Sequence, residues 1–143
     1  MSDFDLSSFL PYQLALAAEK VSRDLSVVYA REGGLTVPEW RVLAHLAQSG
    51  EVSVRDIEAR VGMEKSRVSR AASRLEGAGF VEKRDHPQDG RLVSLTLTDA
   101  GRALMARLVP LALDYQAGLK ARLGAADRGL SEALRMILED QSQ

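Results

Sequence analysis

The sequence has no cysteine among its 143 residues. This absence excludes disulfide bonds, thiolate nucleophiles, Cys-ligated zinc and thiol-based redox sensing. Aromatic residues are also few, at 5%, whereas 45% of the residues are hydrophobic and 27% are charged. This composition is typical of a globular chain of single-domain size that buries a core without covalent cross-links.

Long apolar segments are missing as well. No stretch approaches the ~20 apolar residues of a membrane span, and the first ten residues lack the basic start and apolar run of a signal peptide. We therefore expect a soluble, cytoplasmic protein with no membrane partner.

Motifs of catalysis and metal binding are equally scarce. The only histidines are His45 and His86, and the sequence contains no Gly-rich phosphate loop and no GxSxG motif. His86 lies in a polar segment without a nucleophile, and His45 has no second ligand at metal-binding spacing. The sequence therefore predicts no enzyme, no metal site and no cofactor.

The formal net charge of -1 hides a local excess of cations. Within residues 63–74, Glu64 is opposed by four cations, Lys65, Arg67, Arg70 and Arg74. Clustered cations of this kind follow nucleic-acid phosphates. On charge alone, a solvated helix face explains the cluster equally well.

The middle of the chain has the pattern of a helix-turn-helix. Ser53 can cap a short helix, Gly62 can supply a sharp turn, and a second helix is predicted from Glu64 to about Gly77. The hydrophobic period then changes to alternation at residues 80–84 and 91–97, which predicts a β-hairpin. The polar segment between these two runs, residues 85–90, is predicted to be an exposed loop.

These elements resemble the MarR family, named for multiple antibiotic resistance regulators. The motifs that carry the resemblance are Leu35-Thr36, Glu39-Trp40, Ser66-Arg67-Val68-Ser69-Arg70, Arg74-Leu75-Glu76, Gly79-Phe80-Val81, Asp89-Gly90-Arg91 and Leu95-Thr96-Leu97-Thr98 with Gly101. The resemblance implies a mainly α fold with a small β-hairpin wing: a winged helix-turn-helix domain with a helical dimerisation region.

The resemblance further implies a homodimer. It assigns residues 1–34 to an N-terminal dimerisation helix, 35–98 to the DNA-binding domain and 99–143 to C-terminal dimerisation helices. The apolar stripe from Leu10 to Val28 agrees, because that helix has no bundle of its own chain to pack in. Packing within one chain is the alternative. A two-fold dimer would match a pseudo-palindromic DNA operator.

The predicted recognition helix supplies most of the expected DNA contacts. Its N-terminal half enters the major groove in such folds, where arginine and serine can contact base edges. The base-reading candidates are the outward-facing Ser66, Arg67, Ser69 and Arg70. Lys65 and Arg74, nearer the ends of the cationic cluster, are predicted to contact phosphates.

The predicted wing supplies a second set. Arg91 is expected to enter a narrow A·T-rich minor groove, where the negative potential is concentrated. The resemblance implies that Asp89 pairs with Arg91 and holds it in place. Lys83 and Arg84 are predicted phosphate contacts along the first strand.

Together these features predict a sequence-specific transcriptional regulator, more often a repressor in such families. The resemblance implies release from the operator by a small aromatic or acyl-conjugated ligand. Tyr12, Trp40 and His45 lie on elements that would line its cleft, although aromatic residues such as Tyr12 and Trp40 are more often part of a core. The alternative function is a winged-helix module that binds protein or RNA. Cations on both the helix and the wing favour duplex DNA.

Overall fold

The computed structural model describes residues 3–61, 63–86 and 89–139, apart from the side chains of residues 86–92. A short 3₁₀ turn, Leu6–Ser8, precedes the first helix. The helices are α1 Leu10–Gly33, α2 Val37–Ser49, α3 Val54–Val61, α4 Lys65–Gly77, α5 Asp99–Leu123 and α6 Ala126–Leu138. The strands are β1 Val52–Ser53, β2 Val81–His86 and β3 Asp89–Leu97. The predicted mainly helical fold with a small wing is confirmed.

The wing is a three-stranded antiparallel sheet in the order β1-β3-β2, where a two-stranded hairpin was expected. The additional strand, β1, pairs Val52 with Leu95. Two residues are too few to show an alternating hydrophobic period, so this strand leaves no signal in the sequence. Its pairing nevertheless gives β3 a neighbour on each side.

The predicted loop over residues 85–90 is wrong in its extent. β2 continues through Asp85 and His86, and β3 already begins at Asp89. Asp85 pairs with Val93, and the register shifts before His86. Polar residues can form these strand ends because backbone hydrogen bonds hold a two-stranded ribbon together without a buried face. A bulge adjusts the twist of the ribbon.

The helix ends follow the caps that the sequence predicted. The Thr36 hydroxyl accepts a hydrogen bond from the Glu39 amide at 3.3 Å, and the Thr36 amide donates to the Glu39 carboxylate at 2.9 Å, which completes a capping box. Ser53 caps α3 by accepting from the Asp56 amide at 3.0 Å. Gly34 ends α1 with a φ of 66°. The turn at Gly62 lies outside the described residues.

The chain divides into two compact units, Met1–Val109 and Pro110–Gln143. The first contains every buried residue of the described chain, and the second contains none. The core of the first unit includes Tyr29, Leu43, Leu46, Ile57, Val68, Leu75, Leu95 and Leu108. The assignment of residues 1–34 and 99–143 to dimerisation and of residues 35–98 to DNA binding concerns assembly, and it stays a prediction.

The start of α5 is joined to the turn that follows α4. The Phe80 amide donates to the carbonyl of Leu75 at 2.9 Å, and the Phe80 carbonyl accepts from the amide of Thr98 at 3.1 Å. The Thr98 hydroxyl donates to the carbonyl of Gly79 at 2.6 Å. Gly101 lies so close to this turn that an added Cβ would be 2.1 Å from the Phe80 oxygen. Only glycine allows this approach.

Replacing Gly101 by alanine should therefore lower the free energy of unfolding by about 3 kcal/mol, because backbone atoms cannot yield as a flexible side chain would. Gly77→Ala is the matched control, since nothing lies within 4 Å of a Cβ added at the end of α4. That variant should be neutral or up to about 1 kcal/mol more stable. Urea unfolding measures both, and a Gly101→Ala protein as stable as the parent would contradict the close approach.

Candidate nucleic-acid interface

Helix α4 presents a polar face opposite a fully apolar one. Its inner residues, Val68, Ala71, Ala72 and Leu75, are all buried, as the sequence predicted. The four predicted base-reading residues, Ser66, Arg67, Ser69 and Arg70, are all exposed. Burial of one face fixes the rotation of the helix about its axis, so the polar face has a defined direction.

Three of the four cations of α4 lie around one shallow depression. Arg67, Arg70 and Arg74 line it on one side, and Thr36 and Pro38, at the start of α2, line it on the other. Residues three and four apart on a helix lie on the same face, which is why the spacing brings them together. The fourth cation, Lys65, lies on the other flank of α4. There it lines a second depression with Ser69 and Lys83.

The predicted phosphate-contacting residues differ in their ion pairs. Arg74 contacts Glu39 at 2.5 Å between Nε and Oε2. Lys83 lies 3.6 Å from Glu76, and Arg84 lies 3.9 Å from Glu82. These last two pairs are exposed and screened by solvent, so each holds its side chain only weakly.

Arg67 and Arg70 form no ion pair with any carboxylate of the described residues. Their charges are therefore uncompensated within 4.0 Å in that part of the chain. Ser66 is less free, because its hydroxyl donates to the Glu64 carboxylate at 3.0 Å. Lys65 is likewise exposed and has no ion pair with the described carboxylates, so these three cations of α4 are open to an anionic ligand.

The end of the wing carries Asp89 and Arg91 on the backbone of β3. Their side chains lie outside the described ones, so their pairing stays a prediction. Nearer the core, Ser94 is buried and its hydroxyl donates to Glu51 at 2.5 Å. Sequence reasoning missed this contact, because Ser94 alternates with apolar neighbours and resembles a solvent-facing strand residue.

The predicted ligand-binding residues are spread over two helices. Tyr12 is exposed in the first turn of α1, and Trp40 and His45 are half-buried on α2. At 3.6 residues per turn, the five-residue separation of Trp40 and His45 places them on different sides of α2. Trp40 instead stacks on Tyr29, with 4.5 Å between ring centroids and 19° between planes.

Tyr29 is the one buried residue of α1. Burial raises the pKa of its hydroxyl to about 12, and the positive charge of Arg41 only partly opposes this shift. The ring beneath Trp40 is therefore neutral across the physiological pH range. The sequence offered no signal for this pair beyond the presence of two aromatic residues eleven positions apart.

Among residues 3–61, 63–86 and 89–139, no three His, Cys, Asp or Glu residues are grouped so that they could hold a metal ion. None of the helices formed by these residues is both long and apolar enough to cross a membrane.

Comparison with known protein families matches residues 33–92 to the family described as MarR family. One curated relative is the transcriptional repressor IacR of Pseudomonas putida, 26% identical over 107 residues, which are 74% of this chain and 64% of that protein. The first curated relatives are matched over 52–64% of their own lengths. The family match itself runs from the end of α1 into β3.

Solved structures extend the similarity to nearly the whole chain. SPO1453 of Silicibacter pomeroyi DSS-3, a MarR family transcriptional regulator, is 33% identical with a TM-score of 0.79, and the alignment covers 96% of this chain and 100% of that one. The transcriptional repressor CouR, solved bound to a 23-mer DNA duplex, is 29% identical with a TM-score of 0.84 over 97% and 99%. The chain belongs to the MarR family, a family of winged helix-turn-helix transcriptional regulators and not of enzymes.

Proposed function

We propose that this chain binds double-stranded DNA at specific sequences and represses transcription. The observation that carries the proposal is the exposed row of Ser66, Arg67, Ser69 and Arg70 on a helix whose opposite face is buried. Such a helix can lie in the major groove with its side chains at base edges. The similarity to CouR, whose structure contains a DNA duplex, supports the same conclusion.

The proposed interface separates base contacts from phosphate contacts. The guanidinium groups of Arg67 and Arg70 have no carboxylate partner among the described residues, and their paired N–H donors suit guanine. Ser66 and Ser69 can donate to or accept from either kind of base pair. The residues proposed to contact phosphates are Lys65, Arg74, Lys83 and Arg84. In the wing, Arg91 is proposed to contact the minor groove with Asp89 orienting it.

Arg67→Ala and Arg70→Ala should each weaken operator binding by about 1–3 kcal/mol per lost base contact, and each should relax the preference at one base pair. Binding is measured by fluorescence anisotropy on a duplex selected from random sequences by the parent protein. Arg23→Ala is the control, because it also removes one exposed cation, which is paired with Glu19 on α1.

Unlabelled RNA and heparin serve as competitors in the same assay. If RNA displaced the duplex as well as DNA did, the chain would instead be an RNA-binding module. Unchanged affinity and selectivity in both α4 variants would show that this helix does not read the bases.

The second element of the proposal is a homodimer with two-fold symmetry. Apolar side chains are exposed near both ends of the chain: Leu10 is 61% exposed in α1, and Met136 and Ile137 are 62% and 51% exposed in α6. None of the α6 residues is buried. Apolar surface of this extent favours burial against a partner, and a second copy would place two α4 helices on one palindromic site.

Sedimentation should therefore find a dimer for the full chain at micromolar concentration, and removal of residues 1–28 should abolish it and lower operator affinity. Leu10→Asp should weaken the dimer while keeping the helix, and Glu19→Gln, on the same helix, should leave it intact. A monomeric full chain that binds its operator with full affinity would exclude this assembly.

The third element is release from DNA by a small aromatic or acyl-conjugated effector. Its support is the aromatic surface of Trp40, which is partly exposed and stacks on the neutral ring of Tyr29. Tyr12 and His45 are proposed to contribute from α1 and from the other side of α2. An apolar floor with a few polar groups is the usual composition of a small-molecule site.

Because Trp40 is the only tryptophan, its fluorescence should report the binding of aromatic carboxylates, with benzoate as the first probe. Linkage requires that operator DNA weaken probe binding by the same factor by which the probe weakens DNA binding. Titrations of the probe with and without the duplex measure both factors. Because Trp40 is both the fluorophore and a proposed contact, Trp40→Phe is the control, and its DNA binding with and without benzoate is followed by fluorescence anisotropy of the duplex. Probe binding that is insensitive to DNA would contradict release by such compounds.

A further inference from the structure

The carboxylate of Glu39 joins the start of helix α2 to helix α4. Oε1 accepts the amide N–H of Thr36 at 2.9 Å, and Oε2 accepts Nε–H of Arg74 at 2.5 Å. The Glu39 side chain is only 7% exposed, whereas that of Arg74 is 59% exposed. One oxygen therefore closes the start of α2, and the other restrains a cation on α4.

A buried carboxylate needs strong partners, because loss of hydration otherwise destabilises the charged form. Arg74 supplies one through a short, charge-assisted hydrogen bond. Its guanidinium has five N–H groups, of which Nε–H is directed to Glu39. With more than half of the side chain exposed, the fork has room for a second acceptor on its solvent side.

The position of Arg74 indicates what that acceptor would be. It lines the same depression as Arg67 and Arg70, but it lies one turn further from the N-terminal half of α4 than Arg70. The N-terminal half is the part of a recognition helix that reaches base edges, while residues further along it lie near the DNA backbone. A backbone phosphate is the anion expected at that place.

We propose that Glu39 is a positioning residue for DNA binding. It holds the Arg74 guanidinium so that the remaining N–H groups meet a DNA phosphate beside the recognition helix. This inference rests on the proposed function. The restraint reduces the side-chain freedom that Arg74 would otherwise lose on binding, which is the general advantage of a preorganised contact.

The variant Glu39→Gln separates positioning from charge and from folding. Glutamine can complete a capping box as glutamate does, so the start of α2 should form normally. Removing a negative charge near the interface would, through long-range attraction alone, tighten DNA binding. Positioning predicts the opposite sign: affinity should fall about threefold to tenfold, as expected for one weakened charged hydrogen bond.

Arg74→Ala should lose the phosphate contact entirely. The slope of log K against log salt should then decrease in magnitude by about 0.9 per lost contact, or about twice that for a dimer. Arg74→Lys keeps the charge but lacks Nε, so it should lose affinity while keeping most of the salt slope. If Glu39→Gln failed to fold, Glu39→Asp would decide the same question, because it keeps the charge but withdraws the carboxylate from Nε of Arg74: a loss of affinity supports positioning, and unchanged affinity overturns it.

The double variant Glu39→Gln/Arg74→Ala completes the cycle. If Glu39 acts through Arg74, the double variant binds no more weakly than Arg74→Ala. Additive losses would mean that Glu39 acts by a general effect on α2, and unchanged or tighter binding by Glu39→Gln would also overturn the proposal. Arg67→Ala and Arg70→Ala are measured beside them: their losses persist if only the role of Glu39 is wrong, and vanish if α4 does not bind DNA.

Discussion

The buried face of α4 is the contact on which the proposed binding surface depends. Val68, Ala71 and Leu75 are buried in the core of the first unit, so the helix cannot rotate about its axis without exposing them. Its far end is held by hydrogen bonds from the turn at Phe80 to the start of α5. Because both the rotation and the end of the helix are restrained by packing, its polar side chains have defined directions before any ligand is present.

The cations of this surface differ in their ion pairing, and this difference matters more than the net charge of the chain. A chain with a net charge of -1 has no general attraction for nucleic acid. The attraction depends instead on which cations are free locally. Arg67 and Arg70 have no carboxylate partner among the described residues, whereas Lys83 and Arg84 each form a weak, exposed ion pair of their own. Arg74 differs from both groups, because its partner Glu39 is buried and its Nε contacts that carboxylate at 2.5 Å, which restrains the guanidinium.

Sequence reasoning succeeded where a local rule sets the structure. Capping by Thr36 and Ser53 and the inward spacing of α4 need only neighbouring residues, and all of them are confirmed. It failed where a distant segment decides. Strand β1 exists because β3 pairs with it, and β2 extends to His86 because β3 returns beside it. Neither partner is visible from the residues concerned.

The sequence by itself determined the helix-turn-helix, the family and the exposed set on α4, because helical periodicity and capping act over a few residues. The tertiary structure alone decided the third strand, the stacking of Trp40 on Tyr29 and the contact of Arg74 with Glu39. Glu39 and Arg74 are separated by 35 positions. Such contacts depend on how two helices pack, and no pattern within either helix records which side chain of the other lies within reach.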